Sequence, residues 1–224
     1  MKKIFLNVFA LVTVLAAQAQ VKEGSISYDV KFEGIPAEYA SFVSGSEMKV
    51  YFKDKKSRSE FSTPMMTRTT FSDENTSTTL MEQNGQKIYF KRKKEDIEKE
   101  MKKMPEPKVT FTDEKKTIAG YECKKAIVES KDEKGEIHKA EFWCTDKIEG
   151  LTSGGKMNGA FKGQKGAALE FKVSQGPRTM QFIATNVSTS PIPDAKLLPS
   201  TEGYTETTYE DFKKMMSAMG GSGN

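Results

Sequence analysis

The stretch Thr117–Thr145, TIAGYECKKAIVESKDEKGEIHKAEFWCT, decides the fold. Two apolar-rich runs, Ile118–Val128 and Ile137–Cys144, flank the polar segment Asp132-Glu133-Lys134-Gly135. That segment suits a type I turn closed by a residue in the left-handed region, which Gly adopts without steric cost. The spacing predicts a β-hairpin. If its loop is Glu133-Lys134, Cys123 faces Cys144 directly; a three-residue loop with a Gly bulge offsets them by one position. These are the only two cysteines among 224 residues.

The pairing expectation depends on compartment, and the first residues speak to that. Lys2 and Lys3 precede the apolar stretch Ile4–Leu15, and Ala17-Gln18-Ala19 fits an A-x-A cleavage site before Gln20. Residues 1–19 therefore read as a signal peptide. Their apolar run is short for a membrane span, and no later stretch approaches the roughly 18 apolar residues a spanning helix needs. No cysteine follows the cleavage site, so the mature chain is expected to be periplasmic or secreted and not lipid-anchored. In an oxidising compartment a hairpin pair of cysteines is expected to form a disulfide, adding roughly 3 kcal/mol if the chain-entropy account holds.

The chain from Gln20 has the length of one β-rich domain, with a frayed tail from about residue 220. Loss of the two signal lysines lowers the formal net charge from +4 to +2. That balance points away from nucleic acid. Hydrophobic residues reach only 36%, but they fall in alternating runs that suit a sheet with one wet face.

Ile26, Tyr28, Val30 and Phe32 alternate with polar residues, as do Met48, Val50 and Phe52, and each set predicts a strand. Ser57–Ser62 and the threonine-rich Met66–Ser72 also read as extended. Asn84-Gly85 is the preferred dipeptide of a tight hairpin and sets Met81 against Ile88 and Leu80 against Tyr89. A third hairpin joins Leu169, Phe171 and Val173 to Met180, Phe182 and Ala184 through Gly176-Pro177.

Two segments break the β pattern. Residues 91–104 are helix-friendly, with Ile97, Met101 and Met104 on one narrow face and Pro105 and Pro107 beyond. They form either a flap with an apolar stripe over a cavity or a solvated crossover helix. Near the end, Thr208 caps a short helix with Asp211 three residues on, and Phe212, Met215, Met216 and Met219 form its apolar side. Flexible thioethers suit both irregular cores and adaptable binding surfaces.

Catalytic signatures are weak. Gly150–Met157 nearly matches a phosphate-binding loop, but Met157 replaces the hydroxyl that would hold magnesium. His138, the only histidine, reads as an exposed strand residue. A single histidine and an oxidised cysteine pair leave no metal-ligand set, so no cofactor is expected. A Ser-His-Asp constellation needs no sequence proximity, but no GxSxG elbow supports one. The chain is expected not to be an enzyme.

Lys116-Thr-Ile-Ala-Gly-Tyr-Glu-Cys123-Lys-Lys-Ala and Glu141-Phe-Trp-Cys-Thr-Asp146 together resemble a family of exported bacterial proteins, the domain of unknown function DUF4412. Val50-Tyr-Phe-Lys-Asp-Lys-Lys-Ser-Arg58, Leu198-Pro199 and Gly203-Tyr204 are similar to its other landmarks. Cys144 stands where the family leads one to expect a bulky residue, so a staple would be particular to this member. Such families are similar in pattern to the periplasmic lipoprotein-carrier (LolA/LolB-like) fold. There, a long antiparallel sheet curls into an open half-barrel, and helices fill its concave face.

The expected architecture is mainly β: one curved, all-antiparallel sheet of about ten strands with two or three short helices. The expected function is binding of a lipid or acyl chain beneath Ile97, Met101 and Met104 on one helix and Phe212, Met215 and Met216 on the other. The competing expectation is a structural or protein-interaction domain whose helices simply fill the concave face.

Overall fold

Asn84 and Gly85 both adopt left-handed backbone angles, with φ of 51° and 78°, as a two-residue hairpin turn requires. They join β5 (Thr76–Gln83) to β6 (Gln86–Lys93), with Leu80 opposite Tyr89 and Met81 opposite Ile88 as the sequence predicts. The computed structural model describes residues 20–103, 105–131, 137–149, 166–175 and 178–220, without the side chains of 175 and 216–220. The expected signal segment, Met104, the glycine-rich near-match to a phosphate-binding loop, and the Met216 and Met219 side chains lie outside the described residues.

Working back from β5, the chain forms β1 (Glu23–Glu33), α1 (Ala40–Val43), β2 (Glu47–Lys53), β3 (Lys56–Thr63) and β4 (Met66–Ser72). Beyond β6 come α2 (Lys94–Lys103), β7 (Lys108–Ile118), β8 (Tyr121–Lys131), β9 (Ile137–Thr145), β10 (Ala167–Gln175) and β11 (Arg178–Ser188). The short β12 (Thr205–Glu206) and α3 (Tyr209–Gly220) close the chain. Among the described residues, twelve strands form one sheet in the order β12-β6-β5-β4-β3-β2-β1-β11-β10-β9-β8-β7. The sheet is not closed into a barrel.

Two expectations need correction. The sheet is not wholly antiparallel, because β12 joins β6 in parallel through Thr205 and Ile88. It also has two strands more than anticipated, partly because a two-residue edge strand carries no periodicity to read.

Alternation and twist together explain the curl. Ile26, Tyr28, Val30, Phe142, Phe171 and Phe182 are buried in one cluster on the inner face. Phe171 stacks on Phe182 at 4.6 Å between ring centroids, and Tyr28 meets Phe171 edge-on at 6.0 Å. Register shifts between Ser27 and Tyr28 and between Ala168 and Glu170 bend the strands there, as bulges do. The Tyr28 hydroxyl donates to the Ala168 carbonyl at 2.9 Å, tying β1 to β10 across the intervening β11. Burial drives that phenol's pKa upwards.

The central hairpin takes the offset register. Lys124, not Cys123, stands opposite Cys144. Its turn lies outside the described residues, but of the two registers the spacing allows, the strands take the one with Cys123 and Cys144 offset by one position. Both are buried in one core cluster as thiols. Burial is the main cause pushing the Cys123 thiol up to about 11 and the Cys144 thiol to about 12.

Candidate functional site

Continuous register pairs carry one row of side chains across the inner face. Tyr28 is opposite Met48, Met48 opposite Phe61, Phe61 opposite Arg68, Arg68 opposite Met81, and Met81 opposite Ile88. Directly opposed residues in antiparallel strands point to the same side. The row is therefore apolar except for Arg68. At adjacent strand spacings of about 4.8 Å, Met48 to Ile88 spans roughly 19 Å.

Cover along this row is uneven. Tyr28 and Met81 are buried, Met48, Phe61 and Ile88 are half-buried, and Arg68 is open to solvent. Phe61 still touches the far side of the curl, its ring 6.2 Å from that of Phe182. At the β6 end the two helices take over. Phe212 packs on Phe90 at 4.6 Å, and Tyr209 approaches the same ring at 5.5 Å. Phe90 pairs with Thr79, so it shares the inner face with Met81 and Ile88.

Ion pairs hold the helices together. Glu100 on α2 pairs with Arg92 on β6 and, at 3.7 Å, with Lys213 on α3. The Arg92 guanidinium lies 3.8 Å above the Tyr209 ring. The N-terminus of α3 has the expected cap: the Asp211 amide donates to the Thr208 hydroxyl, which itself donates to the Asp211 carboxylate.

The polypeptide reaches that position by wrapping the outer face. Beyond β11 it runs past Lys53, whose ammonium contacts Asp194 at 2.7 Å, and past Arg58, which donates to the Lys196 carbonyl at 3.3 Å. Tyr204 then packs on Phe71, Leu80 and Tyr89 and donates its hydroxyl to Glu82. β12 and the Thr207 amide, bonded to the Tyr89 carbonyl at 2.8 Å, carry the chain round the sheet edge into α3.

Between α3 and the inner face of the β5–β6 hairpin lies a cleft of about 130 Å³, lined by Met81, Gln83, Asn84, Gln86, Ile88 and Met215. Of the residues anticipated from sequence, Met215 lines this cleft, Phe212 anchors α3, Ile97 is buried and Met101 is half-buried. Sequence reasoning missed Arg68, Phe61 and Met81 as neighbours. Their alternation was visible, but only strand pairing puts them in one row.

His138 occupies an exposed position of β9 opposite Ser130. Among the described residues, no group of three or more His, Cys, Asp or Glu side chains could hold a metal ion. No described helix is long and apolar enough to cross a membrane.

The family model Domain of unknown function (DUF4412) covers residues 32–176, well over half of the chain. The chain belongs to this family. No curated protein matches it.

Proposed function

We propose that this DUF4412 member is a non-enzymatic cell-envelope protein that holds an apolar ligand, a lipid or acyl chain, in the concavity of its curved sheet. The observation that carries this reading is the inner row Met48–Phe61–Arg68–Met81–Ile88, in which Met48, Phe61 and Ile88 are only half-buried and Arg68 is open to solvent, while α2 and α3 pack at the β6 end. A folded chain loses favourable free energy by leaving such apolar surface wet, at about 25 cal/mol per Å². A ligand chain laid along the row would recover it.

The cleft beside Met215 is too small for a whole acyl chain, as drug-sized pockets run to about 300 Å³ and above. It would receive one end, with the remainder lying over Phe61 and Met48. The amino-terminal signal pattern supports export, and similarity to the lipoprotein-carrier pattern fits the same compartment.

A second reading, a structural or interaction domain without ligand, is favoured by the aromatic packing of α3 on Phe90. Extraction and mass spectrometry of the protein purified from an envelope fraction separates the two. A stoichiometric lipid, lost in Phe61→Glu, is the expected result. A stable, empty protein that takes up no added lipid would favour the second reading.

A further inference from the structure

Arg68 is the residue on the inner face for which the fold gives no account. The inner-facing positions of β2–β6 carry two charged side chains, Arg92 and Arg68. Arg92 is neutralised by Glu100 and stacked on Tyr209. Arg68 has neither ion pair nor hydrogen bond among the described residues, and its cross-strand neighbours are the apolar Phe61 and Met81. The acidic side chains of these strands, Glu47, Glu60 and Glu82, alternate onto the outer face.

A guanidinium carries five donors and keeps its charge, and at Arg68 solvent is left to satisfy them. Surrounding protein desolvates Arg68 enough to hold its pKa below the ordinary arginine value, although the side chain remains reachable by solvent. A concave wall produces that combination. Two residues along β4, Thr70 shares a hydroxyl–hydroxyl hydrogen bond of 3.2 Å with Thr79 on the same face. Arg68 interrupts the apolar row, and the threonine pair lies beside it in the next row, between Ser59 and Phe90.

We infer that Arg68 receives the acidic head of an amphiphile, a carboxylate or phosphate, whose chain lies along the row towards Met81, Ile88 and Met215. This deepens the reading above and rests on it. The planar guanidinium matches either acid bidentately, and Thr70 and Thr79 offer hydroxyls beside it. Met81, directly opposite Arg68, also lines the cleft, so head and chain subsites are contiguous.

The test uses the purified chain stripped of bound lipid and three probes of equal chain length. They are palmitate, palmitoyl-lysophosphatidylglycerol and the neutral monopalmitoylglycerol, titrated below their micellar concentrations. The wild type should bind at least one acidic probe roughly tenfold or more tighter than the neutral one, the scale of a charge-assisted bidentate contact. Arg68→Met should abolish that preference while retaining the neutral probe, and Arg68→Lys should keep part of it. The acid preferred identifies carboxylate or phosphate as the head group. Equal binding of acidic and neutral probes by the wild type would overturn the role of Arg68 and leave the apolar site standing. Binding of none would overturn both. Should Arg68→Met fail to fold, the wild-type preference and the lysine variant still decide.

Discussion

Phe61 on β3 and Phe182 on β11 bring their rings within 6.2 Å of each other, although β2 and β1 stand between their strands. Three inter-strand steps would separate the two strands by about 14 Å in a flat sheet. The contact therefore reports the curl that turns one face of a twelve-stranded sheet into a concavity. On one side of Phe61 the inner face is packed with aromatic rings, and on the other it opens towards Arg68.

The aromatic stack is the part of the concavity that the fold depends on. Phe182 is buried and stacks on Phe171. Phe182→Ala should lower unfolding free energy by about 3–5 kcal/mol, read from urea melts, as large core truncations do. A loss under 1 kcal/mol would mean that the curl is held elsewhere.

Gly166 opens β10 with φ of +94°, and a Cβ there would come within 1.8 Å of the Thr145 carbonyl. Gly166→Ala combines backbone strain with a backbone clash. It should cost about 1–3 kcal/mol and accelerate amide exchange along the β9–β10 pairing. Unchanged exchange would show that the connection can shift freely.

The wrap over the outer face should respond to pH at both ends of the range. Desolvation and the Glu82 hydrogen bond raise Tyr204 to about 12, while Tyr204 and Lys87 hold Glu82 below the usual carboxylate range. Tyr204 binds its proton more tightly when folded, so its contribution is full below the unfolded pKa near 10 and is lost as pH rises towards about 12. Glu82 behaves oppositely: its contribution is present above the unfolded carboxylate pKa and fades as pH falls through its folded value. Tyr204→Phe should flatten the alkaline limb of the stability curve and shallow the acid one. Two limbs unchanged from wild type would contradict the assignment.

In the reduced, folded protein neither cysteine should be alkylated at neutral pH, because burial keeps both as thiols. Mass spectrometry after iodoacetamide should find no adduct until denaturant is added. Rapid modification of either would mean that the β8–β9 region opens easily.

Much of this architecture was legible where local chemistry decides it. Asn84-Gly85 fixed a hairpin register, and Thr208 with Asp211 marked the start of α3. The central hairpin was legible only as a pair of alternatives, since its register turns on one loop residue and Cys144 meets Lys124. The parallel addition of β12 left no local trace, because it depends on a chain wrapping the outer face to reach Ile88. Arg68 lies in a threonine-rich strand with no unusual pattern. Its significance comes from Phe61 and Met81, which are neighbours in space through pairing alone.

The methionines make the position of a bound ligand directly observable. With ¹³C-methyl-labelled methionine, Met48, Met66, Met81 and Met215 report on the inner face and its cleft, while Met65 sits exposed in the β3–β4 turn. Titration with palmitate, followed by NMR, should shift the Met48, Met81 and Met215 signals together to saturation and leave Met65 in place. Signals that stay still, or a shift confined to Met65, would contradict a ligand site in the concavity.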